Sequence, residues 1–208
     1  MADPKRLAEY DGKPLARRWI QSARAALARV VDGDGDVVAE AALLVNFRLG
    51  DAFSPEGRAL VFHVGATLLA VDGVLEDSAR RFASVSEREA RRVFPSHVLP
   101  DIPPAYAVFG DRIYFTPRFA VYDPSTGRGF GPMCRAAMVL HEAVHVIDRD
   151  SGAPDVHVSE WDEPRFSQLT SGQAIHNPSS YASLAAQVSV GALEWPQDRR
   201  YGAGNPRL

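Results

Sequence analysis

Two histidines and one glutamate form the motif of this sequence that is best suited to chemistry, His141-Glu142-Ala143-Val144-His145. On a helix, residues four apart lie above one another on one face, so both imidazoles can reach a single ion. With a third protein ligand they leave one coordination position of zinc for water, whose pKa the metal lowers to about 7. Glu142 is then placed to accept the proton of that water and pass it to a leaving amine. The motif predicts Zn2+ as cofactor and hydrolysis as the reaction.

The residues around the motif indicate that it lies on a buried helix. Apolar side chains precede and follow the histidines, and the pattern predicts a helix over 132–149. In such surroundings two histidines and a glutamate without a common partner would cost several kcal/mol of desolvation. A solvated helix edge with incidental histidines is the alternative, and the desolvation cost argues against it.

The third ligand must come from outside the motif helix, because Asp148 and Asp150 are too close to His145 to turn back to the same ion. After His145, residues 155–164 are the stretch that concentrates groups able to bind zinc. The candidates in this stretch are His157, Glu160, Asp162 and Glu163. Asp162 and Glu163 have a structural alternative as acidic residues in the first turn of a helix, where they stabilise the helix dipole.

Three stretches carry a family resemblance: the helix that ends in the motif, residues 110–115, and residues 169–188 with the core Asn177-Pro178-Ser179-Ser180-Tyr181-Ala182. In these stretches the chain resembles the zincin metallopeptidases, more narrowly the deuterolysin-like family of aspzincins and lysine-specific metallo-endopeptidases. The family has Asn-Ala-Asp-x-Tyr-Ala in the last stretch, so Ser179 stands at its aspartate. The resemblance implies cleavage of a peptide or protein substrate and an acidic third ligand. Glu160 lies nearest that ligand's position when 169–188 is matched without gaps, so we expect Glu160 to bind zinc, with His157 and Asp162 as alternatives.

Two further roles are predicted beside the metal. Tyr181 could donate to the oxyanion of a tetrahedral intermediate, a role that zincins often give to tyrosine, or it could be a core residue of an amphipathic helix. Residues 112–116 predict a strand above the zinc, and an exposed strand edge can hold an extended peptide by backbone pairing. We therefore expect Ile113, Tyr114 and Phe115 to bind substrate.

The elements that must position these residues are mostly helical. Apolar spacing predicts helices over 14–31, from about 37 to 48, over 55–76 and over 86–94. Two strand-prone runs flank Gly110-Asp111 and predict a hairpin, with a further strand over 118–122, whereas residues 1–13 are polar and expected to fray. The expected fold is α+β and mostly helical, with a small antiparallel sheet beside the zinc helix. Residues 1–104 would form the helical part and 105–208 the zincin-like catalytic part of one domain.

Composition excludes several other classes of function. The chain of 208 residues has a formal net charge of -3 and no basic stripe, which argues against a nucleic-acid partner. Residues 59–75 are apolar but interrupted by polar residues and glycines, so we expect a buried helix and no membrane span. No hydrophobic segment follows the N-terminal residues, which predicts a cytoplasmic protein or delivery by a non-classical route. The alternatives to a peptidase are a hydrolase of a non-peptide amide and a catalytically silent binding or effector module.

Overall fold

The computed structural model describes residues 2–94, 102–107, 111–123, 128–152, 156–159 and 162–191. Its helices in these ranges are α1 (Pro4–Leu7), α2 (Lys13–Asp32), α3 (Val37–Phe47), α4 (Pro55–Glu76), α5 (Ser78–Arg81), α6 (Glu87–Val93), α7 (Pro132–Ser151), α8 (Glu163–Phe166), α9 (Ser171–Ala174) and α10 (Pro178–Val190). Its strands are β1 (Phe82–Ser84), β2 (Ala105–Tyr106), β3 (Ile113–Phe115), β4 (Tyr122–Asp123) and β5 (Arg128–Gly129). The predicted α+β, mostly helical fold is confirmed.

The longer helices begin and end at residues whose local chemistry favours helix ends. The side chain of Asp36 caps α3 by accepting from the backbone N–H of Ala39, and Ser54 caps α4 in the same way. Ser86 and Glu89 form the predicted capping box of α6. At the other end of α7, Gly152 adopts a positive φ of 69°, which glycine tolerates without strain. These local signals explain why the predicted helix boundaries were accurate.

Helix α7, which carries the motif His141–His145, lies among the other long helices. Helices α2, α4 and α10 pack around it, and β2 and β3 also contact it. Five of its apolar residues are buried: Val139, Leu140, Ala143, Val144 and Val146. Burial of each Val or Leu contributes about 1.5–3 kcal/mol relative to exposure. These contacts therefore stabilise the position of the motif helix in the core. The prediction of a buried motif helix is confirmed.

The three-stranded sheet has the order β1-β3-β2. β2 pairs antiparallel with β3, as the hairpin signal predicts, and Tyr106 lies opposite Tyr114. β1 pairs with β3 in parallel, with Phe82 opposite Ile113, so the sheet is mixed and not antiparallel throughout as predicted. Beyond it, β4 and β5 form a separate antiparallel pair.

The N-terminus and residues 118–120 differ from the sequence-based expectation. Residues 2–13, which the structure describes, are folded: α1 is followed by a π-helical turn, Ala8–Gly12, that packs against α7. Residues 117–120 form a 3-10 turn that begins at Pro117, and the next strand starts only at residue 122. Proline favours the first position of a helical turn and cannot donate to a sheet, which explains the second difference.

Gly12 allows the π-helical turn to lie directly on α7. A Cβ atom at this position would be 2.9 Å from Cγ2 of Val139 and 3.1 Å from the carbonyl oxygen of Arg135. Arg135 also binds the turn through its side chain, because its Nη1 donates to Oδ2 of Asp11 at 2.8 Å. On the face that contacts Gly12, α7 therefore packs against backbone and not against a side chain.

Gly12→Ala is expected to lower the free energy of unfolding by about 1–3 kcal/mol, because the added methyl group overpacks this contact. Gly65→Ala is the matched control, since Gly65 lies inside α4 and a Cβ there would meet nothing within 4 Å. It should raise the free energy of unfolding by up to about 1 kcal/mol, the difference in helix propensity. Denaturant unfolding measures both, and a Gly12→Ala chain as stable as the wild type would contradict the close approach.

Among the described helices, α4 alone has the length and apolar composition of a membrane span. One of its faces packs on α2 and α7 and is buried at Val61, Val64, Leu68 and Val71. Core helices show the same pattern, so this feature carries little weight as evidence for a span.

Candidate metal centre

Helix α7 presents the motif residues at the edge of the core. The imidazole of His141 is 7% exposed and the side chain of Glu142 is 8% exposed, whereas His145 is half-buried. The ring centroids of His141 and His145 are 5.0 Å apart, as expected for residues one helical turn apart. Glu142 precedes His145 by three positions, which places it on the neighbouring side of the same turn. The two imidazoles therefore lie on one face of α7, as the helical spacing of the motif predicts.

A third histidine, His157, completes the group. It lies in the segment 156–159, and its Nε2 is 3.2 Å from Nε2 of His141. Its ring stacks on that of His145, with the centroids 5.3 Å apart and the planes 8° from parallel. The ligand nitrogens of all three histidines lie within 4.8 Å of one another. Among the described residues, this is the group of histidine and acidic side chains that could hold a metal ion.

The three imidazole nitrogens are a donor set that zinc accepts, and the one measured spacing between them can be compared with that of a zinc site. Imidazole nitrogens bind Zn2+ at about 2.0–2.1 Å, and two such nitrogens at tetrahedral angles are about 3.3–3.4 Å apart. The observed 3.2 Å between the Nε2 atoms of His141 and His157 is close to that edge length. Two facing ring nitrogens repel each other unless a proton or a cation lies between them. The spacing of these two nitrogens is therefore compatible with an ion shared between them.

A serine lies on the other side of the His141 ring. Oγ of Ser179, in the first turn of α10, is 3.3 Å from Nδ1 of His141, and the side chain of Ser179 is 2% exposed. When Nε2 binds a metal, the ring proton must be on Nδ1, and the hydroxyl oxygen of Ser179 can accept it. The hydroxyl of Ser179 thus contacts the first histidine of the motif.

The segment that carries His157 is held to α10 by Asn177. The backbone N–H of Val158 donates to Oδ1 of Asn177 at 3.0 Å. Val156 and Val158 also pack against the main core. Asn177 is fully buried and occupies the N-cap position of α10, yet its side chain makes no capping bond to that helix. Its side-chain oxygen accepts from Val158 instead of from a backbone N–H of α10.

The remaining candidates for the third ligand differ in where they lie. Asp162 is half-buried, and its Oδ2 is 3.4 Å from Nη1 of Arg165. Its carboxylate is not part of the group formed by the three histidines. Glu163 begins α8, and its side chain lies outside the described part of the structure, as does all of Glu160. Glu160 as a ligand thus stays a prediction. Of the four candidates, His157 is the one that the described structure brings to the motif.

Tyr181 lies in the core. Its side chain is fully buried, its hydroxyl donates to the carbonyl oxygen of Ile175 at 2.8 Å, and its ring packs edge-on against Phe47 on α3. Burial raises the pKa of the phenol, and a hydrogen bond with Thr67 on α4 opposes this only in part. The hydroxyl thus already donates its proton to a backbone carbonyl oxygen. This arrangement favours the structural alternative over the role of oxyanion donor.

The expectation that β3 binds substrate along a free edge is wrong. β3 is the central strand of its sheet, and both of its edges are paired, with β1 on one side and β2 on the other. Ile113 and Phe115 are fully buried, and Tyr114 stacks on Tyr106 with the ring centroids 5.2 Å apart. A strand whose backbone groups are paired on both sides has none left for a peptide.

Asp148, one turn beyond His145, faces His176 rather than the ligand group. Its Oδ1 is 3.8 Å from Nδ1 of His176, just before α10. His63 on α4 lies near the same histidine: partial burial lowers the pKa of His63, and a charge on His176 lowers it further. Asp148 was excluded as a ligand from the sequence, and its place in the structure agrees with that exclusion.

Comparisons with protein-family models, with curated proteins and with solved structures found no match.

Proposed function

We propose that this chain is a zinc-dependent peptidase in which His141, His145 and His157 hold the metal and Glu142 is the general base. The proposal is supported chiefly by the convergence of three imidazole nitrogens beside a buried glutamate. A common cation would be shared by the buried His141, the half-buried His145 and the exposed His157. The spacing of His141 and His157 at 3.2 Å suits that cation.

Three protein ligands are typical of a catalytic zinc site, whereas structural zinc sites have four. The described residues bring three histidines together, and the outermost, His157, is exposed to solvent. One coordination position would thus face water. The exposure of His157 also means that an extended protein chain can approach the site from outside, which favours a peptide or protein substrate over a small molecule held in a closed cavity.

Zinc bound there would lower the pKa of water to about 7 and polarise the carbonyl of the scissile bond. Glu142 supplies the proton transfer: its carboxylate accepts a proton as the carbonyl carbon is attacked and returns it to the leaving nitrogen. Burial of Glu142 removes competing solvent from around the carboxylate, and α7 fixes its position relative to His145. Imidazole ligands would bind the ion as neutral groups, so the site would keep the ion's positive charge.

Metal analysis combined with the variant His145→Ala tests the proposal. The purified chain should contain about one zinc per molecule, and His145→Ala should retain less than a tenth of it, because two ligands bind zinc far more weakly than three. Digestion of a broad peptide library should give products that disappear when a chelator removes the metal. Zinc binding without cleavage of any peptide would favour the silent binding module, and cleavage of non-peptide amides alone would favour the other hydrolase.

A further inference from the structure

The first turn of α10 contacts two of the three proposed ligands by different routes. Ser179 touches His141 directly, with Oγ 3.3 Å from Nδ1. Asn177 contacts the backbone of the segment that carries His157, because Oδ1 of Asn177 accepts from the N–H of Val158 at 3.0 Å. Both side chains are almost completely buried, at 2% and 0% exposure. Solvent therefore does not compete for either hydrogen bond.

The side chain of Asn177 is used in an unusual way for its position. Asparagine at an N-cap ordinarily accepts from a backbone N–H of its own helix. Here α10 receives no such bond, and the oxygen accepts instead from a residue 19 positions earlier in the chain. Its Nδ2 donates to Oγ of Ser180 at 3.2 Å, which fixes the orientation of the amide. The amide is thus oriented to hydrogen-bond with the segment 156–159 and not with the N-terminus of α10.

We propose that Asn177 and Ser179 are positioning residues that together aim two of the three metal ligands, an inference that rests on the proposed metal site. Ser179 selects the ring form of His141 that has its proton on Nδ1 and its lone pair on Nε2, toward His157. Asn177 fixes the segment 156–159, which contains no helix or strand, so that His157 returns to α7. Ligands held in place before the ion arrives lose less freedom when they bind it.

Zinc affinity, measured by competition with a chromophoric chelator, tests the role of Ser179. Ser179→Ala should bind zinc about 10- to 100-fold more weakly, the usual effect of losing an outer partner of a ligating histidine. Ser179→Thr, which keeps the hydroxyl, should stay within about threefold of the wild type. Ser78→Ala is the matched control: it removes another buried hydroxyl, which accepts from Nζ of Lys13 at 2.8 Å, and should leave zinc affinity unchanged. NMR of the zinc-loaded chain should show a slowly exchanging Nδ1 proton on His141 that Ser179→Ala makes exchange faster.

The role of Asn177 is tested in two backgrounds. Asn177→Ala should weaken zinc binding about tenfold in the wild-type chain, whereas Asn177→Asp, which keeps an acceptor for Val158, should bind more tightly than Asn177→Ala. In a His157→Ala chain, Asn177→Ala should change the remaining affinity by less than about twofold, because the segment then carries no ligand. An equal loss in both backgrounds would show a general effect on folding and overturn the inference for Asn177.

Different experimental results would contradict this inference and the proposed function. A wild-type chain that binds no zinc removes the metal site and the inference with it. A wild-type chain that binds zinc, with Ser179→Ala and Asn177→Ala binding equally well, retains the metal site and overturns the positioning role. An unchanged Nδ1 exchange rate in Ser179→Ala would likewise overturn the assignment for Ser179.

Discussion

Glu142→Gln is expected to keep one zinc per chain and to lose hydrolysis by a factor of about 10^2–10^4, the usual contribution of a positioned general base. Glutamine has nearly the shape of glutamate, so the packing of the buried side chain should be preserved. Its amide cannot accept a proton from water at neutral pH, and therefore the proton transfer is lost. Metal content by mass spectrometry and turnover of a peptide substrate measure the two effects separately.

Two further variants sharpen this result. Glu142→Asp keeps the carboxylate but withdraws it by one methylene group, so its activity should fall between those of the wild type and Glu142→Gln. Glu56→Gln changes an exposed glutamate in the first turn of α4 and should leave both zinc content and turnover unchanged. Wild-type turnover in Glu142→Gln would remove the proposed mechanism, and loss of zinc in that variant would mean that Glu142 is itself a ligand.

Much of the helical fold could be predicted because its signals are local. Predicted residues 55–76 coincide with α4, since Ser54 caps the helix and Pro55 begins it. The helix predicted over 14–31 is α2, and its C-terminal glycine, Gly33, has the expected positive φ. Helix α7 is predicted in the same way from Pro132 and from its apolar periodicity. These features depend on neighbours within a few residues, which a sequence displays directly.

Features that depend on distant contacts were harder to predict. β1 is only three residues long and pairs with β3 across about thirty positions, and no pattern in residues 82–84 marks it as a strand. Without β1, β3 is expected at an edge of the sheet, and the substrate role given to Ile113 and Phe115 followed from that expectation. The packed N-terminus depends on Gly12, whose small size matters only because α7 lies against it.

The candidate site divides in the same way. His141 and His145 are set by helical spacing, so the sequence alone places them on one face. His157 lies outside the motif helix, in a segment whose Val158 hydrogen-bonds to Asn177, 19 positions further along the chain, so no local pattern predicts its contact with the motif. The sequence left His157 open as an alternative but favoured Glu160 from a family resemblance. The number of residues between a side chain and a motif does not show whether the two lie together in the folded protein.

His157→Ala is expected to weaken zinc binding about a hundredfold or more. Zinc in four-ligand sites is bound with about 10–16 kcal/mol, or about 3 kcal/mol for each ligand, which corresponds to a factor of about 10^2. The ring of His157 contributes a nitrogen 3.2 Å from that of His141, and alanine leaves that position empty. Because His157 is exposed, its removal should not affect folding, and thermal unfolding of the metal-free chain should be unchanged.

Glu160→Ala and Asp162→Ala complete this comparison, because they test the acidic candidates in the same segment. Asp162 contacts Arg165 and lies apart from the histidine group, so Asp162→Ala should bind zinc as tightly as the wild type. If His157 is the third ligand, Glu160→Ala should lose far less affinity than His157→Ala. The opposite order, with Glu160→Ala losing the metal and His157→Ala retaining it, would replace His157 by Glu160 and leave His141, His145 and Glu142 in their proposed roles. Similar large losses in both variants would mean that the ion has four protein ligands, which fits a structural site and argues against hydrolysis.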